Sequence, residues 1–370
     1  MACMIVCSIM PTLQTPPTRA QVVLEQLQKK LPELEVAALW IASPANIRYL
    51  TGFTDGEDAK LLVTLEGVTL YTDFRYDVQA REQSSVPFQI ARGKEVLEHA
   101  KGLIAGRPIA FEAESVTYDK FMELQSVWQL PMRPVKELVE SFRMVKTADE
   151  LEKLRRAARI SDQALELVLP NLKAGRTESD VALELEFTMR KLGADDKAFG
   201  ITVASGTRGA MPHGGASHKV IQDGELVTID LGALLDGYHS DITRTYAIGE
   251  VSSELRKIYN TVFEAQAKAL GFIKAGVRCV DADAQARDWI KNAGFDEYFG
   301  HSLGHGVGLN IHEGPTLSKL AEDKRLEAGM VVTVEPGIYV PDLGGVRIED
   351  LILVTETGIE FLSRAPKAKL

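Results

Sequence analysis

The spacing of apolar residues changes repeatedly along the first part of the chain, which predicts an alternation of helices and strands. Apolar positions three or four residues apart favour an amphipathic helix from Ala20 to Lys30, and a continuous apolar run favours a strand over residues 36–42. This order is typical of an α/β domain, which we place at residues 16–140. Further strands are predicted over residues 60–65, 68–73, 88–92 and 108–112, and further helices over residues 76–84, 94–105 and 117–128.

A second domain is predicted over residues 141–370, and it begins with a long helix. Thr147 and Glu150 have the spacing of a capping box, in which each residue satisfies a backbone N–H of the other. Regular apolar positions then continue from Asp149 to about Leu169, as expected for a helix with one buried face.

The second domain contains an internal repeat that places an acid at the same position twice. Residues 224–232 and 329–337 both read G-x-x-V-T-[IV]-[DE]-x-G, and the acid is Asp230 in the first copy and Glu335 in the second. The repeat predicts a duplicated α+β unit whose two halves close on one centre. Upstream, each copy has a Lys-Ala-Gly loop and a predicted helix, with caps expected near Thr177 and Asp281.

The first acidic strand is followed by a turn and a returning strand, which together predict a hairpin. If Leu235 and Asp236 are the two loop residues, the register pairs Asp230 with Asp241. Their Cβ atoms would then be about 4.5–5.5 Å apart, where like charges repel unless a cation lies between them. The alternative is a surface hairpin with two exposed acids, because hairpin registers slip easily.

A second hairpin and a glycine-flanked histidine complete a set of five potential metal ligands. Glu335 and Glu349 lie on either side of a turn at residues 341–345, and His305 lies between two glycines that leave room for close approach. An oxygen-rich site with one imidazole suits Mn²⁺, Co²⁺ or Zn²⁺. The predicted ligands are Asp230, Asp241, His305, Glu335 and Glu349.

The combined motifs resemble the proline-specific pita-bread metallopeptidases, which comprise the Xaa-Pro aminopeptidases and the Xaa-Pro dipeptidases. The resemblance extends over nearly the whole chain after about residue 20, and the short two-domain form is most similar to small bacterial aminopeptidases P. It implies an N-terminal α/β domain followed by a pita-bread catalytic domain. The motifs are Asp230-Leu-Gly-Ala, Gly237-Tyr-His-Ser-Asp241-Ile-Thr-Arg-Thr245, His301-Ser-Leu-Gly-His305-Gly-Val-Gly-Leu, Ile311-His312-Glu313-Gly-Pro315, Val334-Glu335-Pro-Gly337 and Gly345-Val-Arg347-Ile-Glu349-Asp350.

The resemblance also implies a role for each residue that matches these motifs. Asp230 would bind one metal ion, His305 and Glu335 the other, and Asp241 and Glu349 would bridge the two. A hydroxide between the metal ions would attack the carbonyl carbon that precedes proline, with Glu335 as proton acceptor. The remaining expectations are substrate contacts from His213 and His312, a proline pocket at His301, and support of the ligands by Arg347 and Thr243.

Three functions remain open at this level: a Xaa-Pro aminopeptidase, a Xaa-Pro dipeptidase, and a pita-bread scaffold that only binds proteins. We expect the aminopeptidase, with two divalent ions for which Mn²⁺ is our expectation and Co²⁺ or Zn²⁺ are the alternatives. A dipeptidase needs a cation for the free carboxylate of its substrate, and Arg208 and Arg347 are candidates. A methionine aminopeptidase is a weaker rival, because that group generally lacks a separate N-terminal α/β domain.

Composition agrees with a soluble enzyme. The net charge of −10 argues against nucleic acid or an anionic membrane as partner, and no apolar stretch is long enough to span a bilayer. Three cysteines are too few for a disulfide framework. Residues 1–15 lack a basic start, so we expect a disordered extension and not a signal peptide. We therefore expect a cytoplasmic protein, and on family grounds a homodimer.

Overall fold

The computed structural model describes residues 17–321 and 323–370, so the predicted extension over residues 1–15 lies outside the described residues. Contacts divide the chain into a first unit that ends at Glu137 and a second unit that begins at Leu138. No helix in the described ranges has the length and hydrophobicity that a membrane crossing requires.

The first unit is an α/β domain, as the alternating pattern predicts. Its six strands form one mixed sheet in the order β4-β3-β2-β1-β5-β6. The strands are β1 (Ala38–Ile41), β2 (Lys60–Thr64), β3 (Val68–Thr72), β4 (Phe88–Ile90), β5 (Ile109–Glu112) and β6 (Met132–Val135). The helices are α1 (Arg19–Glu33), α2 (Pro44–Thr51), α3 (Asp77–Gln83), α4 (Lys94–Ile104) and α5 (Tyr118–Trp128).

An aromatic group lies at the centre of this first unit. Trp40 on β1 contacts Trp128 at the end of α5 edge to face, with ring centroids 5.2 Å apart. The indole N–H of Trp128 donates to the carbonyl of Leu97 at 2.9 Å, so its polar atom is satisfied inside the core. Helices α4 and α5 are thereby fixed on one face of the sheet.

Among its described residues, the second unit combines five α-helices with four small sheets. Its helices are α6 (Glu140–Met144), α7 (Ala148–Val168), α8 (Glu178–Lys191), α9 (Ser253–Phe272) and α10 (Cys279–Asn292). Its strands are β7 (Asp196–Lys197), β8 (Thr202–Ser205), β9 (Leu226–Leu231), β10 (Ala233–Leu235), β11 (Tyr238–His239), β12 (Ile242–Ala247), β13 (Gly304–Gly306), β14 (Glu313–Leu317), β15 (Val331–Val334), β16 (Gly337–Val340), β17 (Gly344–Arg347), β18 (Asp350–Val354) and β19 (Ile359–Phe361).

The sequence repeat corresponds to a structural repeat in which two helices precede an interrupted hairpin. Apolar residues of α7 and α8 pack with those of β8, β9 and β12 in one core, and residues of α9 and α10 pack with those of β15 to β18 in another. Each copy of the repeat therefore has its own hydrophobic core, and its acid-bearing strands pack against that core.

The helix starts show which sequence-based caps are correct. The capping box of Thr147 and Glu150 is present at the start of α7, and Thr177 caps α8 through a bond from the backbone N–H of Asp180. The cap expected near Asp281 is wrong, because Arg278 is the N-cap residue of α10. Asp281 lies in the first turn and pairs with the Arg278 side chain at 2.6 Å.

The predicted register of the first hairpin is wrong by two residues. Leu235 pairs with Tyr238, so the loop consists of Asp236 and Gly237, both with positive φ (50° and 79°). This Asp-Gly pair favours a type I′ turn, which moves the whole return strand by two positions relative to our count. Asp230 consequently pairs with Thr243 and not with Asp241.

The second hairpin brings its two acids opposite each other. Val334 pairs with Asp350 on one side of the acids, and Gly337 pairs with Arg347 on the other. The same register runs through the gap between these pairs, so Glu335 faces Glu349 across the hairpin. The backbone N–H of Glu335 donates to Leu303, and that of Glu349 donates to Thr243 in the first copy.

Candidate metal centre and substrate cavity

One cavity of about 680 Å³ in the second unit collects side chains from both copies of the repeat. All predicted site residues line it except Thr243, which is fully buried behind Glu349. The predicted residues in its wall are His213, Asp230, Asp241, His301, His305, His312, Glu335, Arg347 and Glu349.

The tightest group of potential ligands consists of Asp241, His305 and Glu349, whose ligand atoms all lie within 4.8 Å of one another. Glu335 is adjacent, with its Oε1 atom 3.4 Å from Nε2 of His305. The other ring nitrogen of His305, Nδ1, lies 3.0 Å from the carbonyl of Gly306. This contact suits the tautomer that leaves the lone pair of Nε2 facing the carboxylates, as a metal ligand requires.

Asp230 lines the same cavity from β9. Its Oδ2 atom accepts a hydrogen bond of 2.6 Å from Nη2 of Arg347. Its Oδ1 atom is buried and has no hydrogen-bond partner in the described part of the chain. A buried carboxylate oxygen without a partner is costly unless a cation or a proton is supplied, so this atom fits a metal ligand.

The electrostatics of the cavity point the same way. Burial, together with repulsion from Glu349 and Asp230, raises the pKa of Asp241 well above its ordinary value. Burial, together with Glu335 and Asp230, does the same to the pKa of Glu349. Burial also raises the pKa of Glu335 to about 7. Four acids facing one arginine are unstable as free anions, so the residues present fit divalent cations.

Arg347 holds the wall of the cavity together from β17. Its Nε donates to the hydroxyl of Thr243 at 3.1 Å, and that hydroxyl donates to Oε2 of Glu349 at 2.7 Å. Its Nη1 donates to the hydroxyl of Tyr339 at 2.9 Å and to the carbonyl of Pro212 at 3.1 Å. The arginine thus fixes acids from both copies at once.

Tyr339 is a residue that the sequence analysis missed. Its hydroxyl lies 3.0 Å from Nε2 of His301, so it links that histidine to Arg347. Burial raises the pKa of Tyr339 to about 12, so it is protonated at neutral pH. Strand alternation could have revealed it, because Glu335, Gly337 and Tyr339 share one face of their strand.

The histidines form the polar part of the remaining wall. Burial lowers the pKa of His301 and of His305 to about 4, so both rings are neutral at pH 7. Burial also lowers the pKa of His312, whose ring centroid lies 4.3 Å from that of His305. His213 lines the cavity from the loop that follows β8.

The loop of His213 is held by a buried acid outside the cavity. The carboxylate of Glu178 accepts hydrogen bonds from the backbone and hydroxyl of Ser205 and of Ser217. It also accepts one of 2.9 Å from Nε of Arg208, whose Nη2 donates to the carbonyl of Gly215. Arg208 therefore stabilises the loop and is not in the cavity wall.

Comparison with known proteins gives the family to which the chain belongs. Residues 152–356 match metallopeptidase family M24, and residues 24–145 match the creatinase/prolidase N-terminal domain. The chain belongs to metallopeptidase family M24, and in its sequence a pita-bread catalytic domain follows an α/β domain. The predicted fold class and the predicted metallopeptidase class are both confirmed.

Individual relatives resemble the chain over almost its full length. A Xaa-Pro dipeptidase of Bacillus anthracis has a TM-score of 0.90 and 43% identity, covering 95% of this chain and 99% of that structure. A Xaa-Pro dipeptidase of Pyrococcus furiosus is 38% identical over 94% of this chain and 99% of its own. An X-Pro aminopeptidase of Thermotoga maritima has a TM-score of 0.85 and 38% identity, covering 93% of this chain and 98% of that structure. These names support the dipeptidase alternative better than the aminopeptidase that we expected.

Proposed function

We propose that the protein is a metal-dependent Xaa-Pro dipeptidase, which hydrolyses the peptide bond that precedes proline. The observation that carries this proposal is the convergence of four carboxylates, two of them buried and two partly buried, and one imidazole from both repeats on a single cavity. The similarity to dipeptidases from two organisms over nearly the whole chain supports the substrate class.

The five residues would hold two divalent ions. We propose Asp230 for one ion, His305 and Glu335 for the other, and Asp241 and Glu349 between them. Bound ions would supply Lewis acidity, polarising the scissile carbonyl and lowering the pKa of water. Mn²⁺ is our proposal for the metal, with Co²⁺ and Zn²⁺ as alternatives, because the donor set of oxygens and one nitrogen suits all three.

Side chains of the cavity would perform the proton transfers and position the substrate. Burial raises the pKa of Glu335 to about 7, which suits its carboxylate to accept a proton at neutral pH. His312 and His213 would hydrogen-bond the peptide near the scissile bond, one at the amide nitrogen and one at the developing oxyanion. His301, held by Tyr339 and packed edge to face on Phe299, would bound the pocket for the proline ring.

A specific observation keeps the Xaa-Pro aminopeptidase as a second candidate. Arg347 is the only arginine or lysine among the described residues of the cavity wall, and its guanidinium already binds Asp230, Thr243 and Tyr339. Arg208 is bound to Glu178 outside the cavity. Longer peptides do not need a buried cation at this place, because their carboxylate lies further along the chain.

Matched substrates decide between the two candidates. We expect the Mn²⁺-loaded protein to hydrolyse Ala-Pro with a higher kcat/KM than Ala-Pro-Ala or Ala-Pro-amide, the latter being the same size as the dipeptide without its charge. A preference for the tripeptide and the amide would instead establish the aminopeptidase. No hydrolysis of any of them with Mn²⁺, Co²⁺ or Zn²⁺ would refute the proposal.

Assembly and location remain predictions. We propose a homodimer, which light scattering of the purified protein would test, and a cytoplasmic location, which cell fractionation would test.

A further inference from the structure

A buried arginine connects the acid-bearing strands to the C-terminal tail, which we define as residues 363–370. Arg244 follows Thr243 on β12, and its side chain is 1% exposed. All five of its guanidinium N–H groups are used. Nε and Nη2 donate to the carbonyl of Ala365 at 2.9 and 2.7 Å, Nη2 also donates to Oδ1 of Asp350 at 2.8 Å, and Nη1 donates to the carbonyls of Thr243 and Glu349.

The tail is held in place along its length by buried groups of the second unit. The carboxylate of Asp162 on α7 accepts from the backbone N–H groups of Arg364 and Ala365 at 2.6 and 2.8 Å. The hydroxyl of Tyr246 donates to the carbonyl of Pro366 at 2.7 Å. The position of the Ala365 carbonyl, which accepts from Arg244, is therefore also held by hydrogen bonds that do not involve the arginine.

A second route leads from the tail to the other hairpin acid. Nζ of Lys367 lies 2.6 Å from Oδ2 of Asp350 and donates to Oε1 of Gln266 at 2.7 Å. Nε2 of Gln266 donates to the carbonyl of Val334 at 2.9 Å, and Val334 immediately precedes Glu335. The tail thus reaches the backbone beside Glu349 through Arg244 and the backbone beside Glu335 through Gln266.

The physical consequence follows from the cost of an unsatisfied buried cation. A buried guanidinium that loses the acceptor of two of its hydrogen bonds either admits water or moves toward its remaining partners. Here the remaining partners are the carbonyls of Thr243 and Glu349 and the carboxylate of Asp350, so a movement of Arg244 changes the backbone that presents Glu349.

We propose that the C-terminal tail positions Glu349 through Arg244, and Glu335 through Gln266, for metal binding. This inference rests on the metal site proposed above. Arg244 is a positioning residue, because it contacts the backbone of a ligand and not the ion. Groups behind metal ligands typically change metal affinity 10- to 100-fold, and we expect the tail to act within that range.

Metal affinity measured without turnover distinguishes positioning from a general contribution to stability. The test uses isothermal titration of the metal-free full-length protein with Mn²⁺, well below its unfolding temperature. Arg244→Lys keeps the charge beside Asp350 but removes the fork that binds the carbonyls of Ala365 and Glu349. Arg155→Lys is the matched control, since Arg155 binds Glu360 on β19 through two bonds of 2.9 and 3.0 Å and contacts no ligand.

We expect Arg244→Lys to weaken Mn²⁺ binding by about 10-fold or more and Arg155→Lys to leave it within about twofold. A chain that ends at Arg364 should show the same weakening with Arg244 intact. If that truncated chain does not fold, the substitution alone decides. Unchanged Mn²⁺ affinity in Arg244→Lys would overturn the inference, whereas absence of Mn²⁺, Co²⁺ and Zn²⁺ binding in the wild type would refute the metal site itself.

Discussion

The two hairpins of the repeat have the same architecture but different chemistry on their return strands. In the first hairpin Asp230 pairs with Thr243, whereas in the second Glu335 faces the acid Glu349. Both copies of the repeat therefore have an acid at the first position, Asp230 or Glu335. The residue opposite it is an acid only in the second copy.

The facing positions two residues nearer the turn also differ between the hairpins. The first hairpin has the acid Asp241 opposite Gly232, and the second has the base Arg347 opposite Gly337. Duplication thus provides two similar hairpins, but the acids on their return strands are offset by two residues, which makes the cavity asymmetric. The return-strand residues that are not acids bind an acid of the other copy: Thr243 donates to Glu349, and Arg347 donates to Asp230.

Removal of either return-strand acid should have the largest effect. We expect Asp241→Ala and Glu349→Ala to lower activity by well over about 100-fold, because each deletes a proposed bridging ligand and even groups behind ligands account for 10- to 100-fold. Steady-state hydrolysis of Ala-Pro and metal content of the purified variants measure this. Glu250→Ala, an exposed acid just beyond β12, is the control. Wild-type activity in either variant would exclude the dinuclear centre.

The hydroxyl that crosses between the hairpins should have an intermediate effect. Thr243→Val deprives Glu349 of its donor and Arg347 of an acceptor, so we expect metal affinity to fall about 10- to 100-fold. Thr243→Ser keeps the hydroxyl and should therefore retain most of the wild-type metal affinity. Thr261→Val removes a buried hydroxyl that bonds only within α9 and should leave affinity unchanged. Equal effects of the two valine substitutions would show that the cross-hairpin bond has no special role.

Metal removal should make the stability of the protein fall as pH rises through neutrality. Burial raises the pKa of Glu335 to about 7 and raises that of Asp241 and Glu349, so the metal-free folded state retains protons that the unfolded chain has lost. Stability then falls as pH rises, by about 1.4 kcal/mol per pH unit for each such proton. His301 and His305, with pKa values lowered to about 4, act oppositely only below about pH 6.5, the ordinary pKa of histidine.

Thermal unfolding between about pH 7 and 8 tests this sign, since most histidines are neutral in both the folded and the unfolded state there. We expect Tm of the metal-free protein to decrease across this range and Tm of the Mn²⁺-loaded protein to change much less. A metal-free Tm that is constant or rises would contradict the buried, mutually repelling acids.

The smallest expected effect concerns the turn that sets the first register. Gly237 has a φ of 79°, so Gly237→Ala should destabilise the protein by about 1–2 kcal/mol. Gly358 lies in the turn between β18 and β19 with open space around it and φ outside the left-handed region, so Gly358→Ala should be nearly neutral. Urea denaturation measures both. A larger loss at Gly358 would mean that the tight turn does not control the hairpin.

The sequence by itself determined many of the local elements and predicted which side chains line the cavity. The capping box at Thr147 and Glu150 marked the start of α7 because the two side chains satisfy nearby backbone groups, which requires no distant contact. The repeated motif placed Asp230 correctly in a strand, β9, whereas Glu335 lies in the break between β15 and β16.

Tertiary structure alone decided the register and the contacts between copies. A shift of two residues keeps every side chain on its face, so the hydrophobic pattern cannot distinguish Asp241 from Thr243 as the partner of Asp230. Tyr339, the cross-copy bonds of Arg347 and the tail contacts of Arg244 join residues far apart in sequence. Their geometry depends on how two separately packed cores bring their hairpins together, which no local pattern encodes.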